Sequence, residues 1–184
     1  ILVDPADMPT NGKFDDSKTV VLEYEFKTDL NAYLAGLGPR APVQTLHDII
    51  EFNERNRDTE MPFFGQENFL KAQARRPLTD KAYVEALAKN HRRSRDEGIE
   101  AVMNEHKRDA MVSPTMGPAH KTDLVYGDRD TGGCTSPAAV AGYPHITVPA
   151  GDVSGLPVGL SFLGRAFSEP TLFKCAFAFE QATK

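Results

Sequence analysis

The sequence has little cysteine, no long apolar run and no excess of positive charge, and each shortage excludes a class of function. Two cysteines, Cys134 and Cys175, are too few for a disulfide framework or a zinc site. No stretch offers the roughly 20 apolar residues that span a bilayer, so no membrane partner is expected. A net charge of −5 argues against nucleic acid and anionic lipid, which both favour basic surfaces. The histidines show no metal-ligand spacing, and we expect neither a metal nor a cofactor.

We do not expect the first residues to be a signal peptide, because no basic region is followed by a long apolar stretch. Ile1–Val3, followed by Asp4-Pro5, predicts a short buried strand that runs into a turn. Natural termini are usually polar and mobile, so we expect further residues to precede Ile1 in the native protein. A reducing cytoplasm is the default location for a chain with so few cysteines.

The composition changes near residue 110. Residues 17–108 are highly charged and mostly helical in pattern, whereas residues 110–184 are richer in Gly, Pro and β-branched residues and contain strand-like runs. The sequence shows neither an internal repeat nor a low-complexity segment. A length of 184 residues suits one domain with a sizeable core.

Helical spacing and capping residues predict five helices. Thr45 and Asp48 resemble the two sides of a capping box, and Thr79 is the expected N-cap of the longest helix. Gly98 interrupts the apolar stripe of that helix, at a cost of about 1 kcal/mol relative to Ala. The expected helices cover residues 18–36 (where 20–26 also alternate like a strand), 45–56, 67–75, about 79–107, and a C-terminal helix capped by Ser168.

Three apolar runs predict strands at 109–114, 145–149 and 156–164. Near-continuous apolar strands that alternate with helices favour an α/β sheet covered on both faces. A long loop rich in Gly, Thr and Ser, residues 115–137, connects the first two strands.

The motif Ala-Gly-Tyr-Pro-His-Ile-Thr-Val-Pro at 141–149, followed by Gly-Leu-Pro-Val-Gly-Leu-Ser-Phe-Leu-Gly at 155–164, resembles the end of amidase-signature proteins. Ser161 departs from that pattern, in which Gln is common. Residues 179–183 match the family's closing Glu-Gln helix. Residues 24–34 and 60–67 are similar to bacterial members, especially the subgroup that includes peptide amidases.

This resemblance implies the C-terminal portion of an α/β/α fold around a large mixed sheet, so that 1–184 would be a single partial domain. It also implies hydrolysis of a small-molecule amide, in which a serine nucleophile passes its proton through a second serine to a lysine. A neutral lysine is a sound base for a weak serine nucleophile. No Ser-Ser pair occurs in this sequence, so we assign no catalytic residue and expect the chain alone to be inactive.

The loop 115–137 is the expected functional segment, because it follows a strand end, where α/β sheets place ligands. In the family this region lines the acyl pocket, which implies substrate contacts for Thr115, Gly133, Cys134 and Thr135. An ordinary hydrogen-bonded loop is the alternative. Cys134 as a nucleophile lacks an evident basic partner, apart from Arg129 nearby in sequence.

Two further functions stay open. The chain could be a stand-alone binding module that forms homo-oligomers through an exposed sheet. It could instead belong to an amidotransferase subunit, which uses the same fold to release ammonia from glutamine. The sequence encoded upstream of Ile1 would distinguish the stand-alone binding module from an amidase.

Overall fold

A computed structural model of the chain describes residues 1–129 and 131–183, and it divides into two compact units. The helical unit comprises Asp15–Lys89, and the sheet unit comprises Ile1–Phe14 together with Asn90–Lys184. Within the described residues, no helix combines the length and apolar character needed to cross a bilayer.

The helical unit is built from one long helix and several shorter ones around a small aromatic core. Tyr24 and Tyr83 lie with their ring centroids 5.6 Å apart, and Val21 and Ala86 are buried beside them. The Tyr24 hydroxyl donates to Asp80 at 2.7 Å, so the polar end of this buried ring is satisfied. The helices are α1 (Asp15–Gly36), α2 (Leu46–Arg55), α3 (Arg57–Glu60), α4 (Glu67–Gln73) and α5 (Lys81–His91), the last of which ends in the sheet unit.

Local signals predicted the end of one helix and the start of another correctly. α1 is helical throughout and ends at Gly36. Thr45 caps α2 with a complete capping box, in which its side chain accepts from the Asp48 N–H at 3.2 Å. The Thr79 N-cap was wrong, because α5 begins at Lys81 and the carboxylate before it, Asp80, accepts from the Ala82 N–H at 3.4 Å.

The long helix expected up to residue 107 is broken. After α5 the chain forms a π-helical segment, Arg92–Ile99, and then α6, Glu100–Glu105. Gly98 adopts φ −110° and ψ −106°, which is not helical. A Cβ at Gly98 would lie 2.6 Å from the Arg93 carbonyl oxygen and 3.0 Å from the Met8 sulfur. Close packing therefore requires glycine at this bend.

The sheet has three strands in the order β1–β3–β2, and both pairings are antiparallel. β1 is Met111–Pro114, β2 is His145–Val153 and β3 is Leu156–Leu163. Among the described residues no strands pair in parallel, so the parallel part of the expected mixed sheet is not seen. Two further helices, α7 (Thr135–Ala141) and α8 (Glu169–Thr183), complete the unit.

Helices cover both faces of the sheet, as the apolar strands predicted. Phe162 and Leu163 are neighbours in β3 and therefore point to opposite faces. Phe162 packs with Leu172 and Ala176 of α8, and Leu163 packs in a second cluster whose members come from the π-helical segment, α6 and α7. The layers are thus helix, sheet and helix.

One expectation for the sheet unit was wrong. Ile1 and Leu2 are exposed and lie outside any strand, so the buried N-terminal strand is absent from the described residues. Phe173 and Phe177 of α8 are each 63% exposed.

Candidate functional site

The segment between β1 and α7 is closed at its base by backbone hydrogen bonds. The Thr115 N–H donates to the Gly159 carbonyl at 2.8 Å, and the Cys134 N–H donates to the Thr115 carbonyl at 3.2 Å. Met116 and Gly133 also form an antiparallel bridge. The two ends of the loop therefore lie side by side beside β3. The loop is shorter than expected, since α7 begins at Thr135.

Three hydroxyl groups meet at this base. Ser161 of β3 is completely buried, and its Oγ lies 2.8 Å from Thr115 Oγ1 and 3.0 Å from Thr147 Oγ1. The two threonine oxygens are 3.5 Å apart. Each hydroxyl can donate one hydrogen bond and accept another, so a closed ring of three satisfies the buried Ser161. The Thr115 hydroxyl is thus engaged in the sheet.

Cys134 has a basic neighbour that sequence spacing did not reveal. Its Sγ lies 3.8 Å from Nε2 of His145, the first residue of β2. Burial lowers the pKa of His145, because the charged imidazolium loses hydration in the protein. A neutral imidazole can accept the thiol proton in a hydrogen bond. The pair is formed because α7 ends at Ala141 and its C-cap Gly142 has a left-handed conformation (φ 67°, ψ 32°) that turns the chain back towards β2.

A cavity of about 470 Å³ in the sheet unit has Cys134 on its wall. Among the described residues, Gly133 and Cys134 line it, whereas Thr115 and Thr135 do not. The carboxyl-bearing Asp4 and Asp7 also lie on its wall, and much of the rest of the wall is apolar. Gly133 and Thr135 are exposed and Cys134 is half-buried. The cavity therefore has the mixed apolar and polar lining that small-molecule sites share.

The described residues contain no cluster of three or more His, Cys, Asp or Glu side chains that could hold a metal ion. The sequence also contains no serine pair of the kind that the amidase-signature resemblance requires for catalysis. Among the described residues, the cavity wall offers the Cys134 thiol and the carboxyl groups of Asp4 and Asp7, and the His145 imidazole contacts that thiol.

The sequence of this chain is similar to those of known proteins. The family described as Amidase matches residues 3–173. Probable amidase At4g34880 of Arabidopsis thaliana is 43% identical over 174 residues, which is 94% of this chain and 30% of that protein. A glutamyl-tRNA(Gln) amidotransferase subunit of Clostridium acetobutylicum is 36% identical over 131 residues, which is 66% of this chain and 26% of that protein.

A solved structure shows the same fold. The native peptide amidase from Stenotrophomonas maltophilia superposes with a TM-score of 0.88 at 41% identity, over 96% of this chain and 35% of that one. This agreement confirms the α/β/α architecture that the C-terminal motifs implied. The chain spans between 26% and 35% of the length of these relatives.

Proposed function

Because this chain belongs to the amidase family, we propose that it is the C-terminal part of an amidase that hydrolyses carboxamides to a carboxylate and ammonia. The observation that carries the proposal is the likeness of 96% of the chain to a peptide amidase at 41% identity. The serine nucleophile, the relay serine and the lysine base are supplied by a part of the protein outside this chain. A peptide amide is the substrate class that this relative suggests.

In this proposal the segment from Thr115 to Thr135 forms one wall of the acyl pocket. Gly133 and Cys134 support it, because both line the cavity of about 470 Å³. Thr115 holds the wall in place through its bonds to Gly159 and Ser161. Thr135 begins α7 and is exposed, so that its side chain is free to meet a substrate.

An ammonia-release assay on peptide amides tests the assignment. We expect the 184-residue chain to be inactive, and a longer protein that adds the upstream reading frame to be active. That upstream sequence should encode a Gly-Gly-Ser-Ser-Gly-Gly-like stretch and an earlier lysine. Loss of these three groups together removes the covalent route completely.

Two results would contradict the proposal. Turnover by the 184-residue chain that Cys134→Ala abolishes would make the loop cysteine a catalyst. A start codon within a few residues of Ile1 would favour a binding module instead. Cys175→Ala is the matched control, because Cys175 packs against the α8 side of the sheet.

A second candidate is an amidotransferase subunit that releases ammonia from glutamine. The similarity to the Clostridium acetobutylicum protein favours it, although that similarity covers 66% of this chain against 94% for the plant amidase. A glutaminase assay on the longer protein, with and without partner subunits, separates the two candidates.

The proposal also places the protein in the cytoplasm, since both cysteines are free, as is typical of a reducing compartment.

A further inference from the structure

We propose that the sheet unit binds a phosphate group, either free or carried by a small molecule, in a second cavity between the end of α6 and the start of α8. This cavity has a volume of about 410 Å³, which falls within the roughly 300–1,000 Å³ that is typical of small-molecule sites. Among the described residues, it shares no lining residue with the cavity that has Cys134 on its wall. The phosphate site is therefore independent of the proposed amidase function.

The wall of this second cavity is rich in positive charge, although the whole chain has a net charge of −5. Lys107, Arg108 and Arg165 line it, against a single carboxyl group, that of Asp109. Neither Lys107 nor Arg108 forms an ion pair with another described residue. Arg108 is half-buried, and its buried Nε has no hydrogen-bond partner among them. An uncompensated charge in such a place favours the binding of an anion.

The third cation, Arg165, is fixed in position by two side chains of α6. Its guanidinium donates to Oδ1 of Asn104 at 2.7 Å and pairs with Glu100 at 3.4 Å. A guanidinium has five N–H donors in a planar fork, so these two contacts leave three donors for a ligand. That fork matches the geometry of phosphate oxygens. The hydroxyl group of Thr171 lies on the same wall and can donate a further hydrogen bond.

The backbone holds Lys107 beside the cavity in a conformation that usually belongs to glycine. Lys107 has a φ of 51°. Its N–H donates to the Asn104 carbonyl at 3.3 Å, and the N–H of Arg108 donates to the Met103 carbonyl at 3.1 Å. Helices often end with this pair of hydrogen bonds, and glycine is the usual residue at the left-handed position. A lysine there lowers stability, which is expected where the side chain serves a ligand.

Isothermal titration calorimetry with sodium phosphate, at neutral pH and low, constant ionic strength, tests the site. We expect saturation at one phosphate per chain. Arg108→Gln should weaken binding by more than about tenfold, because hydrogen bonds between charged groups are the strong ones. Lys121→Gln is the matched control and should bind as the unaltered chain does, because Lys121 is exposed in the loop after β1 and does not line this cavity.

Glycerol phosphate distinguishes the two sources of the phosphate group. Tighter binding of glycerol phosphate than of inorganic phosphate would support a small-molecule phosphate ester as the ligand. Weaker binding would support free phosphate.

Lys107→Gly separates binding from folding. Glycine relieves the left-handed conformation, so we expect thermal unfolding without phosphate to occur at a higher temperature than in the unaltered chain. Phosphate binding should nevertheless weaken by about threefold, as is typical of the loss of one exposed charge. If Arg108→Gln does not fold, this variant decides the question alone.

Four results would each overturn the proposal. They are the absence of saturable binding, unchanged phosphate affinity in folded Arg108→Gln, equal weakening by Lys121→Gln, and a Lys107→Gly variant that gains stability without losing affinity. The last result would assign Lys107 to the end of α6 alone. All of these readouts measure phosphate binding or stability, so they stand apart from any failure of the amidase assay.

Discussion

At the scale of single residues, Ser161 links the candidate site to the sheet. The family pattern often has Gln at this position, whereas this chain buries a serine hydroxyl between two threonines. In the sheet Ser161 lies opposite Thr147 on one side and Ser113 on the other. Its Oγ contacts Thr115, the residue that closes the loop. This hydroxyl is therefore expected to contribute both to stability and to the position of the loop.

Ser161→Ala removes two hydrogen bonds from a buried position. We expect a loss of about 1–2 kcal/mol in the free energy of unfolding, because each such bond contributes roughly 1 kcal/mol. Chemical denaturation with urea measures it. Ser113→Ala is the control on the neighbouring strand, where the hydroxyl makes a single exposed bond of 3.3 Å to the Pro114 carbonyl. Equal losses of unfolding free energy in the two variants would show that the ring of three hydroxyl groups does not stabilise the fold.

The contact between Cys134 and His145 shows why sequence alone did not complete the site. The loop was predicted from its position after a strand end and Cys134 from the resemblance, but no spacing rule joins a cysteine to a histidine 11 positions later. Their meeting depends on the length of α7 and on the turn at Gly142. Neither was visible in the sequence, because α7 was taken as the end of the loop.

At the scale of elements, signals within one turn of the chain were predictable and long-range contacts were not. The capping box of Thr45 and Asp48 was found because both partners lie within a single helical turn. The break at Gly98 was not found, because it depends on contact with Met8 and Thr10, more than 80 positions earlier in the chain. Helix propensity accounts for the glycine itself, but it contains no information about the distant residues that contact it.

The change that we expect Gly98→Ala to cause in the free energy of unfolding therefore has the opposite sign from the change that helix propensity predicts. Propensity alone predicts a gain of about 1 kcal/mol. Packing predicts a loss of about 1–3 kcal/mol, since the new methyl group would lie 2.6 Å from the Arg93 carbonyl oxygen and 3.1 Å from the Thr10 hydroxyl. Thermal unfolding followed by circular dichroism measures the change.

Gly36→Ala at the end of α1 is the matched control. No atom lies within 4 Å of a Cβ placed there. This variant should be neutral or more stable by up to about 1 kcal/mol, because alanine reduces the freedom of the unfolded chain. If Gly98→Ala behaved in the same way, the close packing around the π-helical segment would be refuted.

At the scale of the whole molecule, exposed apolar surface predicts self-association of the 184-residue chain. β1 and β2 are both edge strands of the three-stranded sheet, and unpaired edges invite pairing with another chain. Phe173 and Phe177 lie one turn apart on α8, each 63% exposed, and form an apolar surface on the same unit. Burying such rings in a second copy would remove them from water.

Sedimentation over a range of concentrations measures this association. We expect the unaltered chain to exceed its monomer mass of 20.2 kDa as concentration rises. Phe173→Gln combined with Phe177→Gln should return it towards the monomer, because both aromatic contacts are lost. Phe63→Gln combined with Phe64→Gln, which changes two rings of the helical unit that are at least as exposed, is the control and should still associate. A chain that stays monomeric throughout, or a stronger effect of the control pair, would contradict assembly through the sheet unit.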